Sequence, residues 1–454
     1  MLDIAEQLEA VIPTALTGSV AQMVGMTVSA GGFPAPVGAL AEIQRQSAAP
    51  VLAQVIGFRD ELTVLYPFGD LSGVRHGNRV RLVRTAHWLR VGEELLGRVI
   101  DATGSAIDGK PQPALHDRTS FNRRPPHPCT RPRINEPLAT GIRALDGVLT
   151  CGRGQRMGIF SGSGVGKSIL LGMMARYTWA EVIVIALIGE RGREVNEFLE
   201  RDLGPQGLAK SVVVVATSNE PALLRVQAAS TATAIAEHFR DQGKDVLLLL
   251  DSLTRFALAQ REIGLAAGEP PTTRGYPPSV FSLMPKLVER AGRSPQGSIT
   301  AFYSVLVEAD DPNEPISDAV RGLLDGHTWL SRRLASRGHY PAVDILESLS
   351  RLMPDVTSEE HRRAALALRE VLAAYREHED LISVGAYRRG SNRLVDLAIE
   401  MQPEINHYLQ QAVGEPSVFD DSRDRLLRWH QQYLQRMNVK EPGQAPPATS
   451  TNGK

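Results

Sequence analysis

The chain has 454 residues, more than one hydrophobic core holds, which points to two or three domains. With 43% hydrophobic and 22% charged residues the balance is that of a globular protein, and a net charge of -1 excludes a surface that coats nucleic acid throughout. Two cysteines, Cys129 and Cys151, exclude a disulfide framework, and no apolar run approaches the length of a membrane span.

Residues 1–16 predict a short amphipathic helix ending near Pro13, with Leu2, Ile4, Ala5, Leu8, Val11 and Ile12 largely on one face. A helix this short is marginal alone in water, so it docks either on its own domain or on a partner. It is acidic and lacks the basic, apolar and cleavage regions of a secretory signal, so a cytoplasmic location is expected. Residues 17–95 read as a small β-barrel, because short apolar runs at 51–56, 62–66 and 80–83 alternate with Gly, Pro and Asp turns. Residues 96–109 lead out of the barrel. The Pro- and Arg-rich stretch 123–133 suits an extended surface strap, and a solvated linker is preferred over a nucleic-acid contact.

From about residue 141 to 351, β-type apolar runs alternate with helical segments, the pattern of a parallel α/β core. The runs 182–189, 211–216, 246–251 and 298–306 read as buried strands. Residues 158–168 (Gly-Ile-Phe-Ser-Gly-Ser-Gly-Val-Gly-Lys-Ser) follow apolar residues and precede a helix-compatible run, the strand, loop, helix order of a P-loop. The loop Ser161, Gly162, Ser163, Gly164, Val165, Gly166 is the expected phosphate cradle: its glycines lack a Cβ and can turn successive N–H groups inward. Lys167 can reach the β- and γ-phosphates, and Ser168 can ligate Mg²⁺. One departure is Ser161, which stands where the strict pattern has Gly.

Three further features bear on hydrolysis. Asp251 ends the buried run 246–251, where it can hold Mg²⁺ and its waters or cap the helix that follows. Glu190 follows the run 182–188 within Gly-Glu-Arg-Gly-Arg-Glu; it is either a base that polarises the attacking water or part of a surface ion-pair cluster. Tyr340 can stack on a base or belong to the core, and Arg351 is either an arginine finger acting on a neighbouring subunit or a surface arginine. Residues 358–435 are mostly helical by pattern, and the tail 441–454 is expected to be disordered.

These residues carry a family resemblance. The stretches 158–168, 186–195, 210–218, 245–256, 268–281, 297–303 and 339–344 resemble the hexameric ATPases related to the catalytic subunit of rotary ATP synthases, and within them the ATPases of type III protein export. Residues 268–276 (Gly-Glu-Pro-Pro-Thr-Thr-Arg-Gly-Tyr) and 380–387 look more like the flagellar branch than the injectisome branch, and Ser161 stands where the export family has a small residue. The resemblance implies an α/β fold with an N-terminal β-barrel at 17–95 and a RecA-like P-loop domain with a mainly parallel sheet at 96–355. A C-terminal helical domain at 356–440 follows, with residues 1–16 binding a stator-like regulatory partner. It implies ATP and Mg²⁺ as ligands: Lys167 on phosphate, Ser168 and Asp251 on Mg²⁺, Glu190 as the water-positioning base. Arg191 and Arg255 would lie near the phosphates, Tyr340 on adenine, and Arg351 as the finger. The implied partners are five further copies in a homo-hexamer, a central-stalk-like protein, the export gate and chaperone–substrate complexes, at the inner membrane, with no nucleic acid.

Two readings from other classes remain. A non-catalytic ring subunit would lack the general-base carboxylate, and Glu190 is present. A RecA-like hexameric RNA motor would want a basic, aromatic N-terminal domain; Phe33, Phe58, Tyr66, Phe68 and Trp88 form no basic-aromatic cluster.

Overall fold

In the computed structural model the described residues are 16–438, except 47, 87, 308–310, 312 and 313. The readings for the N-terminal helix and for the tail 441–454 therefore lie outside the described residues. Six strands, β1 (Thr17–Val24), β2 (Thr27–Gly31), β3 (Leu40–Ile43), β4 (Val51–Arg59), β5 (Leu62–Pro67) and β6 (Arg79–Arg84), close into an antiparallel barrel in the order β1-β2-β5-β4-β3-β6. The period-two pattern explains it: Val51, Ala53 and Val55 of β4 point inward beside Val20, Val28, Ile43 and Leu65, while Leu52 faces out. Closure leaves no strand edge unpaired.

The barrel ends at Arg84. Strand β7 (Trp88–Val91) leaves it; next come β8 (Arg98–Asp101) and β9 (Asp117–Ser120), and β7 pairs antiparallel with β9, Trp88 opposite Ser120. The segment read as merely leading out of the barrel does more: β8 lies parallel to a core strand and forms one edge of the central sheet. The strap that follows is pinned, not free. Arg131 donates to the carbonyls of Glu289 and Ala291 at 2.6 and 3.2 Å, and Arg123 lies 2.7 Å from Asp241.

A short ribbon of β10 (Pro137–Leu138) and β11 (Cys151–Gly152) then leads into the α/β core. Its strands are β12 (Arg156–Ser161), β13 (Val182–Ile188), β14 (Ser211–Ala216), β15 (Asp245–Asp251), β16 (Gly292–Arg293), β17 (Ser298–Leu306), β18 (Gly326–Leu330) and β19 (Val343–Ser350). The sheet order is β19-β18-β12-β17-β15-β13-β14-β8, with β16 paired to β17. The pairs β18·β19 and β16·β17 are antiparallel, and the rest are parallel. β13 and β14 are buried along their whole length, because helices cover both faces.

The alternation of β13 divides the interior in two. Ile183, Ile185 and Leu187 face a core shared with the P-loop helix (Lys167–Tyr177) and the C-terminal helices. Val182, Val184, Ala186 and Ile188 face a core built on the helices Ala222–Asp241, Leu253–Ala267 and Pro278–Val288. The C-terminal helices Glu359–Ser383 and Arg393–Leu409 start at side-chain caps, Ser358 accepting from the His361 N–H and Asn392 from the N–H groups of Leu394 and Val395. Val395, Ala398, Met401 and Ile405, at helical spacing, bury one face against Ala364, Leu368 and Val371.

Candidate nucleotide site

Parallel strands present their C-terminal ends on one edge, and that edge collects the chemistry. β12 ends at Ser161, the loop turns, and the helix begins at Lys167. Gly164 and Gly166 have φ of 79° and 93°, a left-handed backbone that a side chain resists; this is where the loop requires glycine. Gly166 caps the helix, and a Cβ there would lie 3.6 Å from the Tyr340 ring, so the ring stands over the loop. Ser163, Gly164 and Ser168 are exposed, and Gly162 and Val165 are buried. Ser161 is fully buried, and its hydroxyl has no hydrogen-bond partner among the described residues.

Asp251 ends β15 and Glu190 follows β13, the two strands that lie beyond β17 from β12 in the sheet. Lys167 Nζ lies 2.5 Å from Asp251 Oδ1 and 3.9 Å from Glu190 Oε1. Ser304 Oγ donates to the same Asp251 oxygen at 2.6 Å. Asp251 is not the helix cap: Ser252 is, its Oγ accepting from the Arg255 N–H at 3.2 Å, because the Asp251 carboxylate is turned onto Lys167 and Ser304. Burial, with the charge of Asp251 beside it, pushes Glu190 up to about 7, against the opposing pull of Lys167. Glu194, hydrogen-bonded to Glu190, is shifted down. The Glu-Arg cluster thus splits: Glu190 turns in, while Arg191, 78% exposed, lies 3.8 Å from Glu194, and Arg193 pairs with Glu197 at 2.7 Å.

Arg255 packs its stem where a Cβ on Gly189 would lie, 3.1 Å away at its nearest, and its buried Nε has no partner among the described residues. Its charge acts on Glu190, lowering its pKa. Tyr340 is 45% exposed, so it is no core residue. With Val165, Ile169, Met173, Leu330 and Ala412 it lines an apolar cleft of about 220 Å³ beside Gly166. Arg351 lies elsewhere. β19 runs antiparallel to β18, Ser350 opposite Gly326 and Val343 opposite Leu330, while Leu330 neighbours Ser161. Arg351 therefore stands one β18 length from its own P-loop, roughly 13 Å along the sheet, and its side chain is exposed.

Three contributors escaped the sequence reading. Ser304 is one of four hydroxyl residues, with Ser298, Thr300 and Tyr303, in a buried strand, and nothing in the pattern singled it out. Glu194 was visible only as a member of a charge cluster. Gln411, Ala412 and Val413 close the cleft from the C-terminal region, far along the chain and without a motif. Among the described residues no three His, Cys, Asp or Glu side chains converge into a metal cage. A Mg²⁺ bound mainly through phosphate oxygens needs only one or two protein ligands, and Ser168 and Asp251 fit that donor set. A triphosphate that draws Lys167 onto itself leaves the buried Asp251 carboxylate in want of a cation.

The sequence models for the ATP synthase alpha/beta family match residues 141–350 (nucleotide-binding domain) and 20–83 (beta-barrel domain), and that for the T3SS EscN ATPase C-terminal domain matches residues 357–428. The chain is 50% identical over 407 residues to the flagellum-specific ATP synthase of Bacillus subtilis, spanning 89% of this chain and 93% of that protein. It is 53% identical over 364 residues to the SPI-2 type 3 secretion system ATPase of Salmonella typhimurium, spanning 80% and 84%. It superposes on the assembled ATPase EscN from the enteropathogenic E. coli type III secretion system with a TM-score of 0.86 at 47% identity, spanning 90% of this chain and 99% of that one. Against EscN in complex with its central stalk EscO the TM-score is 0.84 at 46% identity, with the same coverage.

Proposed function

The chain belongs to the ATP synthase alpha/beta family, in its type III export branch, and from that premise we propose that it hydrolyses ATP to energise export of unfolded flagellar proteins. The observation that carries the catalytic half is the convergence of Lys167, Asp251 and Glu190 at one sheet edge, Lys167 within 2.5 and 3.9 Å of the two carboxylates. The flagellar half rests on residues 268–276 and 380–387 and on the flagellum-specific relatives, such as those of Bacillus subtilis at 50% and Treponema pallidum at 52% identity.

The P-loop N–H groups and Lys167 bind the β- and γ-phosphates, and the Tyr340 cleft takes the adenine. Ser168 and Asp251 would hold Mg²⁺, which would supply neutralisation of phosphate charge. Glu190 orients a water in line with the γ-phosphorus and takes its proton; the new P–O bond forms as the bond to the β–γ bridging oxygen breaks, releasing ADP and phosphate. Arg255 adds positive charge beside Glu190, and Arg191 swings from solvent toward the phosphates. Arg351, on the far edge of its own sheet, acts on the γ-phosphate of the next subunit in a homo-hexamer. The ring sits at the cytoplasmic face of the inner membrane through its partners: a stator-like protein held by residues 1–16, a central-stalk-like protein, the export gate and chaperone–substrate complexes.

The test is twofold. The purified chain hydrolyses ATP only with Mg²⁺, without stimulation by RNA; RNA-dependent turnover favours the motor reading, and no turnover favours the non-catalytic subunit. Expression in a Bacillus subtilis strain lacking its flagellum-specific ATP synthase restores swimming. Failure there, with rescue of a strain lacking an injectisome ATPase, reassigns the chain to the injectisome branch.

A further inference from the structure

Gln411 is only 4% exposed, and the hydrogen-bonding groups of its side chain are engaged. Its Oε1 accepts from the Arg143 backbone N–H at 2.8 Å, and its Nε2 donates to the carbonyls of Gly141 and Glu415 at 2.9 and 2.8 Å. A buried amide so fully satisfied fixes its own backbone. That backbone N–H donates to the Tyr340 carbonyl at 3.0 Å.

The groups Gln411 grips are themselves immobile. Asp146 accepts from the Thr140 N–H, the Thr140 hydroxyl and the Gly141 N–H at 2.8, 2.7 and 3.0 Å. Gly141 has φ of 78°, and a Cβ there would lie 2.3 Å from the Cβ of Tyr177. The Arg143 guanidinium donates to the carbonyl of Gln410 at 3.2 Å and pairs with Glu415. A continuous hydrogen-bonded path therefore runs from the segment before the P-loop strand, through Gln411, to the backbone of the residue whose ring stands over Gly166.

We infer that Gln411 is a positioning residue for the nucleotide base: its side chain fixes the N–H that holds the Tyr340 carbonyl, and so sets where the ring meets the base. This rests on the reading of the Tyr340 cleft as the adenine site. The hydrogen bonds of Gln411 go to Arg143, Gly141, Glu415 and Tyr340 and to no phosphate-binding group, so its effect is expected on recognition of the base.

The experiment is a double-mutant cycle on the full chain, read by ATP kinetics and by inhibition with inorganic tripolyphosphate, which has phosphates and no base. Gln411→Leu raises KM for ATP about 3- to 10-fold, the change that one net hydrogen bond supplies. It leaves kcat within about twofold and the tripolyphosphate inhibition constant unchanged. In a Tyr340→Ala background the same substitution has no further effect on KM. If Gln411→Leu does not fold, Gln411→Glu keeps the acceptor for the Arg143 N–H, loses both donors, and shows the same split. Equal loss in kcat, a parallel shift for tripolyphosphate, or additivity with Tyr340→Ala overturns the assignment as a merely structural role. If Tyr340→Ala alone leaves KM unchanged, the adenine-site reading falls, and the inference falls with it.

Discussion

A carboxylate 3.9 Å from an ammonium would ordinarily ionise well below neutral pH, yet burial and the charge of Asp251 hold Glu190 up to about 7. In its proposed role as base Glu190 must be ionised to take a proton from water, and a raised pKa means that it is protonated below that value. kcat/KM therefore rises as pH passes upward through about 7 and falls close to tenfold per unit below it, as a pH–rate profile on the free enzyme reports. Glu190→Gln keeps nucleotide binding, loses hydrolysis by about 10²-fold or more and loses this limb of the profile; parent-like turnover removes Glu190 from the role. Lys167→Ala loses the phosphate contact itself and abolishes measurable hydrolysis. Much of this site was legible in the sequence, because a P-loop is a local device whose glycines and lysine must be neighbours in the chain. Ser304 and Gln411 were not, since each acts across the fold on a residue more than fifty positions away. Asp251 was half legible: its place at a strand end was plain, but which neighbour capped the helix depended on where its carboxylate turned.

At the scale of elements, the strap between barrel and sheet is held by a buried ion pair. Arg290 makes two bonds to Glu237, 3.0 and 2.8 Å, and donates to the Phe121 carbonyl at 2.7 Å; both side chains are under 5% exposed. Removing Arg290 leaves the buried Glu237 carboxylate facing only the longer contact to the partly exposed Arg123, 3.9 Å away. Arg290→Met should therefore cost about 3–5 kcal/mol, read as a lowered unfolding midpoint, while adding Glu237→Leu recovers most of the loss. A double variant no more stable than Arg290→Met contradicts that account. The apolar run 182–188 and the nearly apolar run 211–216, polar only at Ser211, were legible as strands because only a sheet covered on both faces tolerates them. β8 and β7 were not legible in place: strands of four residues, each interrupted or bounded by charge, carry too little pattern to say which sheet they join, and contact with β14 and β9 decides it.

For the whole molecule, sheet topology separates Arg351 from its own P-loop by the length of β18, while the site beside Lys167 opens to solvent at Ser163 and Ser168. If Arg351 acts as the proposed finger, a chain acting alone is an incomplete enzyme, and its specific activity should rise with protein concentration as rings assemble. Removal of residues 1–16 should leave this activity intact and weaken capture of the stator-like partner in a pull-down; equal recovery would refute that role. The shared site is the central claim, and mixing two inactive variants tests it most directly. Arg351→Ala binds ATP and turns it over about 10³-fold more slowly, as loss of a finger does in related phosphoryl transfer. Lys167→Ala keeps its finger and lacks its phosphate contact. In a mixed ring some interfaces unite the intact P-loop of the first chain with the intact finger of the second, and those interfaces should recover part of the parent activity. Mixed oligomers, verified by differential tagging, that recover no activity would contradict the account and return Arg351 to the surface of a self-sufficient subunit.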